Sequence, residues 1–338
     1  MPQSHSGEMN PSGAGRCAPV VAVVNYTDTP PERLSSLVGT EATLRAASTK
    51  VGLDAILPEA RIVVVWAYKS DLLEGSWELA GDVEWVHVAA AGVDRPLFPK
   101  LVESSAVLTN AAGVFDRPMA EWVLMCILAY VKEFFDNVEY QREHRWVNRE
   151  VGVLEGQKAL VVGAGGVGRD VAHMLGLVGM EVRGVARSRR DGDPDFGTIH
   201  PIGDLAELLP EADYVICALP LTAATQGLFG GEEFALMKPT ARFINVGRGA
   251  SVDEEAMIAA LKQGQIAGAA LDVFVTEPLP SASPLWDLPN VFVSPHMSGS
   301  GFEERLAAQF LHNLRRWKAG RPLLNVVDKR LGFVPYRG

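Results

Sequence analysis

Lys158 to Gly168, KALVVGAGGVG, is the stretch from which the rest of the chain is read. A short apolar run, Ala159–Val162, stops at a glycine triplet spaced G-x-G-x-x-G, and an amphipathic segment, GVGRDVAHMLGLVG, begins inside the triplet. A strand that turns sharply into a helix is the setting in which this spacing carries physical meaning. Gly163 permits the tight turn, Gly165 lets backbone approach a pyrophosphate, and Gly168 lets helix and strand pack closely. Gly166 and Val167 belong to the same phosphate-binding turn, where the helix N-terminus offers free amides to an anion. The stretch therefore predicts a dinucleotide-binding βα unit.

Working outward, the same rhythm recurs on both sides. Downstream come EVRGVA, DYVICALP, ARFINVGRG, AGAALDVF and NVFVSPH; upstream, from Val20, come VVAVVNY, a helix opened by Pro30 and Pro31, RIVVVW and VEWVHV. Apolar runs bounded by Gly, Pro or Asp and separated by helical segments predict parallel strands buried on both faces. The expectation is two Rossmann-like or flavodoxin-like doubly wound domains with an active-site cleft between them. Pro118 to Arg145, with no Gly and no internal Pro, is the candidate connecting helix, and a second helical run covers Glu303 to Lys318.

Composition narrows the function. At 338 residues and 48% hydrophobic the chain is too long for one ordinary core. Its 31 Lys+Arg against 41 Asp+Glu leave a charge of -10, which disfavours nucleic acid and anionic membrane as partners. The longest apolar stretch, Met119 to Val131, contains Glu121 and is shorter than the ~20 residues of a spanning helix. Cys17, Cys126 and Cys217 are widely separated, so neither a disulfide framework nor a metal site is expected, and a reducing cytoplasm fits. Residues 1–18, rich in Gly, Ser and Pro without an apolar core, are expected to be a flexible tail rather than a signal peptide.

Cofactor choice is read at the end of the second strand of the unit. An NAD site places an acid there for the ribose 2'-hydroxyl. Here Ala186 is followed by Arg187, Ser188, Arg189 and Arg190. Guanidinium groups pair with a 2'-phosphate, so NADP(H) is favoured and NAD(H) use stays open. The alternative is a solvated basic turn.

Three further motifs follow successive strands at the edge where such sheets bind ligands: NVGRG (Asn245–Gly249), DVFVTEP (Asp272–Pro278) and SPHMSG (Ser294–Gly299). Reduction of a keto group needs a proton donor near neutral pH, a role for His296. Glu277 is suited to orient the imidazole and favour its cation. Arg248, between two glycines, can offer a planar fork to a substrate carboxylate and carbonyl. Taken singly, each could be a loop histidine, a cap and a surface ion pair; their order makes them a catalytic set.

The chain is similar to the D-isomer-specific 2-hydroxyacid dehydrogenases, which include glyoxylate/hydroxypyruvate reductases, D-lactate dehydrogenases and phosphoglycerate dehydrogenases. The resemblance rests on VHVAAAGVD (Val86–Asp94), LTNAAGVFDRPMAEWVL from Leu108, GAGGVG, ALPLTAAT from Ala218, INVGRG, ALDVFVTEP and SPHMSG. It implies reduction of a small 2-keto acid to the D-2-hydroxy acid and the reverse. It implies a split arrangement, 19–115 with 300–338 as the substrate-binding domain and 116–299 as the dinucleotide domain. Amides around Ala91, Gly92 and Val93 would hold the substrate carboxylate. Leu219, Pro220, Thr225, Val246, Gly247, Asp272 and Gly299 would line the cofactor cleft. A homodimer through the nucleotide domains is implied, with Pro118–Arg145 at the interface and Trp146 reaching toward the partner's site. The alternative within the same fold is a dinucleotide-sensing corepressor that binds cofactor without turnover.

Overall fold

The structure, a computed structural model, describes residues 18–299 and 301–335. The expected tail apart from Ala18, with Cys17 in it, and Ser300 lie outside the described residues. The upstream apolar runs form β1 (Val20–Val24), β2 (Thr43–Ala47), β3 (Ile62–Val65), β4 (Trp85–Val88) and β5 (Val107–Asn110). They pair in parallel in the order β2-β1-β3-β4-β5, the flavodoxin-like winding. Side chains alternate between two covered faces. Val63, Val65, Val86 and Val88 pack with Leu53, Leu57 and Leu101 on one side. On the other, Val21, Val23, Ile62 and Val64 meet Leu34, Phe310 and Leu314. Phe310 and Leu314 belong to the helix Glu303–Lys318, so the end of the chain closes the core of its beginning. Beyond that helix, Val327 N donates to Leu108 O at 2.9 Å, laying the last segment along β5.

A titratable ring is buried beside this core. His87 is 1% exposed, its Nδ1 is 2.9 Å from Thr109 Oγ1, and its Nε2 has no hydrogen-bond partner. Burial pushes its pKa from 6.5 down to about 3, so the folded protein keeps the ring neutral. The unfolded chain binds a proton below pH 6.5 that the folded chain refuses, so stability is complete above that pH and is lost as pH falls toward 3. The slope is about 1.4 kcal/mol per pH unit for one proton. Urea midpoints between pH 7 and 5 should fall less steeply in His87→Gln than in wild type; parallel slopes would remove His87 from the pH dependence.

The second series forms β6 (Lys158–Val162), β7 (Glu181–Ala186), β8 (Arg190–Asp193), β9 (Gly197–Pro201), β10 (Tyr214–Cys217), β11 (Arg242–Asn245), β12 (Gly268–Leu271) and β13 (Val291–Val293). The order is β13-β12-β11-β10-β6-β7-β9-β8, parallel throughout except for β8 against β9. The order reverses between β6 and β10, which places a ligand crevice where the glycine triplet leaves the sheet.

Two elements differ from the sequence reading. The basic stretch after β7 continues into a hairpin, β8 and β9, although RDGD has no strand-like composition. Tertiary contacts supply what composition lacks: Arg169 donates to both Asp193 oxygens, at 3.0 and 2.5 Å, and its guanidinium lies over the Phe196 ring. The long connector is two helices, Asp116–Val131 and Phe134–Arg142, broken at Glu133 in the left-handed region (φ 49°). The break turns Phe135 back onto Tyr130 and Phe292 of the core, an apolar gain that a continuous helix would forfeit.

Candidate active site

The cofactor edge is assembled from backbone. Gly163 has φ +117°, and a Cβ there would stand 2.5 Å from Ala218 O; a Cβ at Gly168 would strike Gly163 O. Strand, turn and the helix Gly166–Leu177 are therefore pressed together as the fingerprint requires. Gly165, the N-cap, has open space beside it and no side chain caps the helix, which leaves a cradle of amides for a pyrophosphate. Across the crevice lie Leu219 and Pro220, held in a turn by Thr225, whose hydroxyl donates to Pro220 O at 2.6 Å. Val246 N bonds Cys217 O, and a Cβ on Gly247 would press on Leu219 backbone. Gly299 packs against Phe115 and Met119. These residues converge on the edge where β6, β10 and β11 end, and they fit a dinucleotide.

Arg187, Ser188 and Arg189 leave β7 exposed. Arg189 pairs with Asp191 at 3.0 Å in the hairpin, and the Arg187 guanidinium sits over the Phe333 ring. Both remain at the surface, where an exposed ion pair contributes only ~0 to 1 kcal/mol and yields readily to a phosphate.

The three motif residues meet at the cleft. His296 Nδ1 is 2.8 Å from Glu277 Oε2 and 3.0 Å from Oε1. The carboxylate thus fixes the proton on Nδ1 and leaves Nε2 for a ligand. Burial raises the Glu277 carboxyl, but the hydrogen bond and charge of His296, then Lys69 and the Phe274 amide, bring it below the usual carboxylate range. His296 adopts φ 54°, and its amide bonds Asp272 O and Ser294 O. Asp272, 1% exposed, accepts from Ser294 Oγ, Met297 N, and both Ser298 N and Oγ. Its carboxylate shapes the histidine loop at the carboxyl edge of β12.

Arg248 faces the loop after β4. Its Nε is 3.0 Å from Asp94 Oδ1, and a Cβ on Gly92 would collide with its Nη2. The Ala91–Gly92–Val93 backbone is thus brought against the guanidinium, as a site for one carboxylate requires. Sequence reasoning passed over three side chains here: Asp94, Lys69 and Tyr68. Lys69 Nζ stands 3.1 Å from Glu277 Oε2. Burial raises the pKa of the half-buried Tyr68 phenol, against the pull of Lys69. Lys69 and Tyr68 lie in the Trp66–Ser70 loop, whose shape has no local signature; Asp94 closes a motif already quoted.

A glycine-lined crevice at one sheet's switch point, facing a His–Glu pair and an arginine beside a backbone loop, defines a pyridine-nucleotide oxidoreductase acting on a small acid. Residues 124–298 match the family described as D-isomer specific 2-hydroxyacid dehydrogenase, NAD binding domain. Over 263 residues the chain is 35% identical to glyoxylate/hydroxypyruvate reductase B of Pectobacterium atrosepticum, covering 72% of this chain and 78% of that protein. A D-isomer specific 2-hydroxyacid dehydrogenase from Xanthobacter autotrophicus Py2, solved with NADPH and MES, superposes with a TM-score of 0.82 at 32% identity, covering 94% of this chain and 100% of that one. The NADPH-dependent glyoxylate/hydroxypyruvate reductase of Sinorhizobium meliloti, solved with NADP and sulfate, gives 0.82 at 29% identity with the same coverage. The chain belongs to the D-isomer specific 2-hydroxyacid dehydrogenase family and is an NAD(P)-dependent enzyme of that family. Among the described residues no helix is long and apolar enough to cross a membrane, and no cluster of three His, Cys, Asp or Glu could hold a metal.

Proposed function

We propose that the chain reduces a glyoxylate- or hydroxypyruvate-like 2-keto acid to the D-2-hydroxy acid with NADPH, His296 being the acid and, in reverse, the base. The observation that carries this reading is the His296–Glu277 pair at the same sheet edge as Arg248, with the Gly92 backbone brought against that arginine from the first sheet. Bound nicotinamide supplies the hydride. Arg248 and the amides of Ala91–Val93 hold the substrate carboxylate and polarise its carbonyl. As hydride reaches the carbonyl carbon, the C=O π pair moves to oxygen and takes the Nε2 proton of His296, leaving neutral imidazole. Glu277 orients the ring through Nδ1 so that Nε2 faces the carbonyl oxygen.

Residues 19–115 with 300–338 serve as the substrate side in this reading and 116–299 as the dinucleotide side. A cytoplasmic homodimer completes it. Exposed apolar side chains on and near the connecting helices support the dimer, among them Met125, Leu128, Phe134 and Trp146, the last 98% exposed. A panel of 2-keto acids with NADPH and NADH, followed at 340 nm, tests the activity; cofactor binding without turnover of any of them would favour the corepressor-like reading.

Cofactor choice has its own test. Arg187→Ala with Arg189→Ala should lower kcat/KM for NADPH about tenfold, the worth of roughly 1.4 kcal/mol, with NADH little affected. A wild-type preference for NADH, or an unchanged ratio in the double variant, would leave these arginines a solvated turn.

A further inference from the structure

The winding of the first sheet reverses between β1 and β3, so its own switch point opens beside Asn25–Tyr26 and the Trp66–Ser70 loop. Lys69 leaves this loop and crosses to the other domain, where its Nζ meets the Glu277 oxygen, Oε2, that also holds His296 Nδ1. One carboxylate serves two cations from two domains. The pair is not an ordinary surface contact, because Glu277 is only 16% exposed while Lys69 is 39%. The Tyr68 ring flanks the ammonium at 5.8 Å. Other charged or titratable groups around the imidazole are Arg248 after β11, Asp94 after β4, Asp272 at the end of β12, and the Tyr68 phenol. Arg248 is paired with Asp94, and Asp272 is enclosed by the histidine loop, so Lys69 is the cation that divides the field of Glu277.

We propose that Lys69 is a positioning residue for proton transfer: reaching from the first domain, it shares the Glu277 carboxylate with His296 and loosens that carboxylate's hold on the imidazolium proton. The acid is thereby strengthened when the two domains stand together, which is when the keto acid is enclosed. With Lys69 withdrawn, Glu277 holds the histidine without a competing ammonium. The inference rests on the assignment of His296 as proton donor.

The experiment is the pH dependence of kcat for glyoxylate reduction at saturating NADPH, in wild type, Lys69→Met, Lys69→Gln and Lys69→Arg. Reduction needs the imidazolium and fails as pH rises. Removing a cation that competes for the carboxylate should move this failure upward by about half a pH unit to one pH unit. Both neutral variants should show the move, the oxidation limb should move with it, and Lys69→Arg should restore the wild-type profile. A role confined to tethering the domains would change KM or thermal stability with the limbs in place, and coincident limbs in a folded Lys69→Met or Lys69→Gln protein overturn the proposal. Absence of keto acid reduction by wild type overturns the functional reading first, and is seen before any variant is made.

Discussion

Replacing His296 by Ala is expected to lower kcat for keto acid reduction by about 10²- to 10⁴-fold while the protein stays folded and binds its cofactor. The expectation follows from placement. The ring is oriented by two carboxylate contacts through Nδ1, and its backbone is held in the left-handed region by bonds to Asp272 O and Ser294 O. A non-glycine residue in that region costs on the order of 1–3 kcal/mol, which this loop offsets with the four groups donated to the Asp272 carboxylate. Alanine keeps the loop, because none of those bonds uses the imidazole. The cofactor cradle, built on Gly163–Gly168, is untouched, so titrating NADPH fluorescence should give a wild-type Kd. Turnover within tenfold of wild type would remove His296 from the chemistry. Glu277→Gln provides the complementary reading. Loss of the anion weakens the imidazolium, so reduction should fail at lower pH than in wild type, the direction opposite to that expected for Lys69→Met. An unchanged pH profile would leave Glu277 a structural partner only.

The second large effect is expected at the arginine. Arg248→Lys keeps the charge but loses the fork, and kcat/KM should fall by about 10²-fold, the scale of one lost charge-stabilising donor. Gly92→Ala should reach a similar loss without touching the arginine itself. A methyl group there would occupy the position of Nη2, so the guanidinium must swing away from the loop it serves. The Asp94 contact at 3.0 Å opposes that swing by holding Nε, which makes the displaced geometry strained rather than merely shifted. Saturation curves for the keto acid at fixed NADPH check both variants. A Gly92→Ala enzyme with wild-type kcat/KM would show that the loop and the arginine do not act on one carboxylate.

How far these sites can be read before folding varies from residue to residue. Gly163, Gly165 and Gly168 are legible because their spacing marks one strand-turn-helix unit, in which Gly168 lets the helix close on Gly163 O. The atom that Gly163 itself must clear, Ala218 O at the end of β10, is distant in sequence. His296, Glu277 and Arg248 are legible as a set because strands of a doubly wound sheet all end at one edge, so motifs far apart in sequence are delivered together. The β8–β9 hairpin is not legible, since RDGD becomes a strand only when Arg169 and Phe196 anchor Asp193. The break at Glu133 is equally hidden, because the stretch has continuous helix-forming composition and the reason to stop lies in Phe292, well over a hundred residues away.

The sequence by itself therefore determined the two-domain α/β architecture, the dinucleotide turn and the set of Arg248, Glu277 and His296 proposed to carry the chemistry, because period, glycine spacing and strand-end chemistry are local properties. Tertiary structure alone decided that Asp272 spends its carboxylate on the histidine loop, that Asp94 and the Gly92 backbone grip Arg248, and that Lys69 crosses the cleft to Glu277. Each of these is a contact between different strand-end loops. The angle at which such loops face one another is set by sheet twist and by the packing of two separate cores, which no window along the chain records.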